Sequence, residues 1–270
     1  SVFDLYRMSF SKKIDYYKKG KIRYEDLINE PKITNDKQLR QMSFYLKEQG
    51  TYIDKAGIGA FLDTLSYPIY FLDFETVQPV IPEYIGTKPY AQIPFQYSLH
   101  YIEKKDGELK HKEFLAESGT DPRRALAERL CEDIPMNVCV TAYNKAFECT
   151  RIKELAEAFP DLAEHLLNIK DNIKDLLEPF QSGYYYNKAM GGSFSIKSVL
   201  PALFPNDPSL DYHNLSDVHK GDEASAAYLT LATLDKQTYD KIRNSLLEYC
   251  KLDTYAMVKI YYKLLELIGD

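Results

Sequence analysis

The sequence predicts an α/β fold: a mixed sheet in which an antiparallel three-strand meander is continued by parallel strands, flanked by helices. Three features point to it. Residues 67–72 are an uncharged, aromatic-rich run that reads as a strand buried on both faces. Residues 93–102 and 109–115 are strand-like, with the turn Lys105-Asp106-Gly107-Glu108 between them, as in a meander. Beyond residue 120, helix-like and strand-like segments alternate, the pattern of crossover connections in a parallel sheet.

Length and composition bound the rest. At 270 residues, 45% hydrophobic and 27% charged, the chain is globular and long enough for one sizeable core with an appendage. It divides into a polar, Lys- and Tyr-rich helical lead-in, residues 1–66, and a main domain, residues 67–270. The net charge of −6 argues against nucleic acid held by unspecific phosphate neutralisation, which needs a basic domain, but not against an enzyme that brings metal cations. Cys131, Cys139, Cys149 and Cys250 lack C-x-x-C spacing and read as reduced, packed thiols. No apolar window reaches the ~18 residues of a membrane span and no signal segment opens the chain, so a cytoplasmic protein without a membrane partner is expected. A first residue of Ser rather than Met reads either as a piece of a longer chain or as a residue left from an added leader.

In the lead-in, helical periodicity covers residues 2–19, 36–49 and 54–65, broken at Gly20 and at Asn29-Glu30-Pro31. After the strand at 67–72, Pro79, Pro82, Gly86 and Pro89 mark a loop, and residues 93–102 then alternate as a half-buried strand. Thr120-Asp121-Pro122 opens a helix that ends near Glu132. Residues 137–142 form the next strand, and Asn144 caps a helix that Pro160 stops. Residues 173–177 are a short strand. Ser193 or Ser195 caps a short helix ended by Pro205, residues 204–217 are loop, and residues 222–234 and 246–268 are helices. The order βββαβα is the layout of an RNase H-like fold, whose first strand carries acidic residues in the sheet centre.

That strand ends in Asp73-Phe74-Glu75. A period of two places both carboxylates on one face, where they repel and lose solvation unless they point into solvent at a strand end; a hard divalent cation or protons would relieve them. Glu148, in the first turn of the helix after residue 142, can reach the same strand end, although the helix dipole alone favours a carboxylate there. Tyr249 and Asp253, four apart, share one face of the last helix. Lys197 lies beside helix-start amides that offer either a phosphate seat or a solvated helix end.

Residues 71–76 (Phe-Leu-Asp-Phe-Glu-Thr), 143–148 (Tyr-Asn-Lys-Ala-Phe-Glu) and 249–254 (Tyr-Cys-Lys-Leu-Asp-Thr) resemble the three motifs of the DEDD superfamily of 3'-to-5' exonucleases. Tyr249 is similar to the tyrosine subclass, since Glu248 stands where the histidine subclass has His. Residues 90–100, 121–123 and 192–201 are similar to a bacterial family of unknown function, whose longer members carry upstream a segment resembling a cysteine-rich, iron–sulfur-type nuclease domain.

The resemblance implies a metal-dependent exonuclease that hydrolyses phosphodiester bonds from the 3' ends of single-stranded DNA or RNA. Two Mg²⁺ or Mn²⁺ ions would be held by Asp73, Glu75, Glu148 and Asp253, with Tyr249 orienting or deprotonating the attacking water. Thr76 and Asn144 would contact sugar or backbone and Lys197 a phosphate, while Phe74 and Phe147 either stack on bases or fill the core. An upstream nuclease-like domain of the same full-length chain is the implied partner. Glu148 departs from the Asp usual at the second motif, and its extra methylene changes that ligand's reach. The alternative is a catalytically silent RNase H-like module that binds nucleic acid or a protein partner.

Overall fold

The computed structural model describes residues 1–269. Its strands are β1 (Thr51–Ile53), β2 (Ile69–Val77), β3 (Ile93–Ile102), β4 (Leu109–Leu115), β5 (Cys139–Ala142), β6 (Ile173–Asp175) and β7 (Tyr185–Asn187). Its helices are α1 (Phe10–Lys18), α2 (Tyr24–Leu27), α3 (Asp36–Leu46), α4 (Lys55–Leu62), α5 (Arg123–Asp133), α6 (Ala146–Ala158), α7 (Ala163–Asp171), α8 (Glu178–Gln181), α9 (Ile196–Leu203), α10 (Gly221–Thr230) and α11 (Lys236–Ile268). No helix among the described residues is long and apolar enough to cross a membrane.

The chain forms two compact units. One contains residues 1–62, 177–206 and 263–269; the other contains Asp63–Leu176 and Asp207–Tyr262. The segment 177–206 joins the first 62 residues because β7 pairs antiparallel with β1, Tyr52 opposite Tyr186, and the Asp54 N–H donates to the Tyr184 carbonyl at 2.7 Å. This unit has its own core of Val2, Leu5, Tyr24, Leu27, Ile33 and Met42. The helix expected over residues 2–19 is divided in two. A 3-10 turn covers Val2–Asp4, Arg7 takes a left-handed φ of 45°, and Ser9 caps α1 by accepting from the Lys12 N–H. A capping Ser offers the backbone an alternative to continuing the helix, so the periodic pattern breaks there.

In the second unit the strand order is β4-β3-β2-β5-β6. β2 runs antiparallel to β3 and parallel to β5, and β4 and β6 extend the two sides. This is the mixed α/β sheet of the RNase H-like layout, with β2 at its centre. One face of β2 carries Leu72 and Phe74, which join Tyr97 and Leu99 of β3 in a core with Leu126, Leu130, Ile152 and Leu155 of α5 and α6. The opposite face carries Phe71, Asp73 and Glu75, aligned across the ladder with His100, Ser98 and Gln96.

That second face lies beneath α11. Gln96 Nε2 donates to the Leu246 carbonyl at 2.8 Å, and Ser98 Oγ and His100 Nδ1 each lie 2.7 Å from Thr254 Oγ1. Two expectations change. β3 is buried along both faces rather than half-buried, because α11 covers its polar residues. β2 carries Asp73 and Glu75, as expected, and runs on to Val77. α11 begins at Lys236, ten residues before the apolar stripe, since Asp235 accepts from the Gln237 and Thr238 N–H groups and starts the helix there. Burial holds His100 neutral, its pKa pushed down to about 3.

Leu72 is fully buried in the centre of this sheet. Leu72→Ala is expected to lower unfolding stability by about 2–5 kcal/mol, read from the urea midpoint at unchanged slope.

Candidate functional site

β2 presents Asp73 and Glu75 two residues apart beneath α11, and the ladder register shifts between Glu75 and Thr76. Cys250 and Asp253 lie three apart on α11, so they sit on adjoining parts of one helix face. Cys250 Sγ stands 3.8 Å from the Asp73 carbonyl oxygen and 3.9 Å from its Oδ2. One ligand-type atom from each of Asp73, Glu75 and Cys250 falls within a 4.8 Å span.

The electrostatics bring in the other two carboxylates. Burial first, then the charges of Asp253, Glu75 and Glu148, raise Asp73 well above the usual carboxylate range. Glu148, buried in the first turn of α6, is pushed up to about 8, chiefly by burial; Asp175 adds to the rise, while its own backbone N–H and Arg151 oppose it. Glu148 Oε2 is buried with no hydrogen-bond partner among the described residues. No Lys or Arg among the described residues forms an ion pair with Asp73 or Glu148. Glu75 is also buried, and a Cβ on Gly221, the first residue of α10, would stand 3.5 Å from its Oε2. The positive end of α10 therefore comes up to that carboxylate. Ser225 Oγ donates to the Thr76 carbonyl at 2.6 Å and ties the strand end to the same helix.

Glu148 owes its position to the loop before α6. Asn144 does not cap that helix, contrary to the sequence expectation: Lys145 occupies the cap position without a side-chain cap bond, and Asn144 takes a left-handed φ of 67°. The capping acceptor comes from the next strand instead. Asp175, at the end of β6, accepts from the Asn144 N–H at 2.8 Å and the Lys145 N–H at 3.2 Å.

Two tyrosines border the cluster. Tyr249 is buried, and burial together with Asp253, Glu75 and Asp73 pushes its hydroxyl far above the ordinary range, so it is a neutral phenol. Tyr212, in the 3-10 turn Tyr212–Asn214, donates its hydroxyl to Asp253 Oδ1 at 2.6 Å, and its ring lies 6.0 Å from that of Tyr249. Sequence reading missed Tyr212, because it lies in a loop 41 residues from Asp253 and no periodicity links them. Cys250, expected only as a packed thiol, was missed as well; its place three residues before Asp253 on a helix was the signal that could have found it. Its thiol is raised by burial and the surrounding carboxylates, so it stays protonated.

The remaining sequence candidates are placed as follows. Thr76 is half-buried at the end of β2, and Asn144 is exposed in the loop before α6. Lys197 is exposed on α9, which belongs to the other compact unit, and Ser195 stands at the α9 cap position without a side-chain cap bond. Phe74 is buried in the core edge-on to Tyr97, and Phe147 lies half-buried with the Arg151 guanidinium 5.2 Å from its ring centroid. A donor set of carboxylates around a protonated thiol, with one buried carboxylate oxygen unpartnered, fits a hard divalent cation better than zinc.

A family model for a domain of unknown function (DUF2779) matches residues 70–195, a span that includes Asp73, Glu75 and Glu148. The chain is 29% identical over 217 residues to the uncharacterized protein MG366 of Mycoplasma genitalium, covering 74% of this chain and 32% of that protein. It is 25% identical over 244 residues to the uncharacterized protein UU173 of Ureaplasma parvum serovar 3, covering 81% of this chain and 34% of that protein. The chain thus spans about a third of the length of these curated relatives. No solved structure matches it.

Because the folded pKa of Glu148 is raised, from 4.5 to about 8, its contribution to stability is fully present below the lower value and lost as pH rises through the upper one. In EDTA, the melting temperature of the wild type relative to Glu148→Gln should fall between pH 5 and pH 8. A difference that stays flat over that window would show that Glu148 is not held protonated.

Proposed function

We propose that the chain is a metal-dependent 3'-to-5' exonuclease of the DEDD kind, hydrolysing phosphodiester bonds of single-stranded DNA or RNA in the cytoplasm. The observation that carries the reading is the crowding of Asp73 by Asp253, Glu75 and Glu148, three carboxylates from β2, α6 and α11. Such a set is strongly unfavourable without compensating positive charge, and it sits at the centre of the sheet where the three motif-like segments meet.

Asp73, Glu75, Glu148 and Asp253 would hold two Mg²⁺ or Mn²⁺ ions. Bound there, the ions would acidify a water and neutralise charge on the scissile phosphate and the leaving 3' oxygen. The chain's own groups then have separable tasks. Tyr249, neutral and beside three of the carboxylates, orients the attacking water or a phosphate oxygen by hydrogen bonding. Tyr212 fixes one oxygen of Asp253 by donating its hydroxyl to it, which orients the carboxylate. Asp175 holds the loop that aims Glu148, whose longer side chain supplies the second-motif carboxylate from the first turn of α6.

The direct test is digestion of 5'- and 3'-labelled single strands of DNA and RNA with Mn²⁺, Mg²⁺ or EDTA. A metal-dependent ladder shortening from the 3' end is expected, with Asp73→Ala reducing the rate by about 10²-fold or more. Undiminished cleavage by that variant would sink the assignment. Absence of both cleavage and calorimetric metal binding in the wild type would point to a silent binding module.

Tyr212→Phe separates orientation from packing. It should weaken Mn²⁺ binding about tenfold in calorimetry while the circular dichroism spectrum is unchanged. Equal affinity would leave Tyr212 a packing role only.

A further inference from the structure

The unit built around α3 holds a cluster of the opposite sign. Arg7 and Lys37 lie over the Tyr6 ring, 5.7 and 5.5 Å from its centroid. Arg40 Nη1 donates to the Gly183 carbonyl at 2.6 Å, and Lys37 Nζ donates to the Gln181 carbonyl. Tyr6, Lys37, Arg40, Gly183, Tyr186 and Phe194 line a small, partly open hollow. Lys37 is pushed below its ordinary pKa by burial and by the charges of Arg7 and Arg40, both of the same sign as its own. Among the described residues, none of these three cations forms an ion pair with a carboxylate.

The backbone is shaped to hold the charges together. Gly183 has a φ of 79°, and a Cβ there would meet Arg40 Nη1 at 3.2 Å and Lys37 Cε at 3.3 Å, so a glycine lets both cations close on the chain. Arg7 adopts its left-handed φ without being a glycine, a conformation that non-glycine residues seldom take. Two of the cations find carbonyl oxygens, which orient them without neutralising them. Arg7, exposed, makes no hydrogen bond among the described residues. Most of the donors on the two guanidinium forks and the ammonium therefore remain for a ligand.

Guanidinium and ammonium donors gathered beside Tyr6 and Gly183 match phosphate oxygens. We infer that this cluster of cations is a second nucleic-acid site, engaging the backbone phosphates of a single strand through Arg7, Lys37 and Arg40. The site needs neither the carboxylate cluster nor a metal, so it stands or falls independently of the proposed hydrolysis.

The test is fluorescence anisotropy of the whole chain with end-labelled oligothymidylate and oligouridylate of about twenty nucleotides, in EDTA and at about 50 mM salt rising from there. The triple variant R7Q/K37Q/R40Q should bind about tenfold more weakly, with its salt slope reduced by about two, the value for three cations on a single strand at roughly 0.7 each. A charge-matched control, K110Q/K153Q/K236Q, should keep wild-type affinity and slope. Should the triple variant fail to fold, Arg7→Gln alone carries the test, since Arg7 is exposed and makes no hydrogen bond or ion pair among the described residues; a loss of several-fold is expected. Equal loss in the control, no binding by the wild type at low salt, or displacement of the strand by polyglutamate as readily as by unlabelled oligonucleotide would each overturn the inference.

Discussion

The structure depends on keeping four carboxylates near one another around Asp73 on the helix-covered face of the central strand. Carboxylates gathered out of water repel, and each loses solvation, so the surrounding elements must be rigid enough to stop them from moving apart. β2 gives two of them a fixed separation. α11 lies across the same face and adds Asp253, and the α6 first turn, held by Asp175, adds Glu148. Tyr212 then takes up one oxygen of Asp253 by donating its proton. Each of these contacts serves the same end, the placing of negative charge where an ordinary core would have none.

Strand alternation lets one sheet do two different jobs. The Leu72 and Phe74 face of β2 belongs to a dry core with α5 and α6, and this core holds the strand in place. The Asp73 and Glu75 face meets α11 through hydrogen bonds rather than apolar packing alone, with Gln96, Ser98 and His100 of β3 reaching the helix. His100 remains neutral there, so the polar seam adds no net charge beside the carboxylates. The two faces meet different helices because β2 is central, with β3 and β5 on its two sides.

The two compact units carry like-charge clusters of opposite sign. In one, carboxylates crowd Asp73; in the other, Arg7 and Arg40 depress Lys37. Neither arrangement lowers the energy of the chain by itself, and a ligand of opposite charge relieves either. The overall charge of −6 conceals the second cluster, because the acidic residues that outnumber the basic ones lie elsewhere.

Much of this was legible in the amino-acid sequence, for local reasons. The run from Ile69 to Leu72 could only be a buried strand, the meander followed from turn residues and alternation, and the three motif-like segments each contained their acidic residue at a spacing that the strand or helix period fixes. What stayed hidden was decided by long-range contact. Residues 177–206 join the first 62 through a two-stranded pairing of three residues each, too short to leave a pattern. Asp175 replaces Asn144 as the capping acceptor because β6 lies beside β5. Tyr212 and Asp253 meet across 41 residues only because a loop closes over α11. The sequence by itself thus determined the strands of the main sheet and which acidic residues share a strand or helix face, since both follow from short-range periodicity; the tertiary structure decided which of those residues come together, because proximity across the sheet depends on packing that no local period encodes.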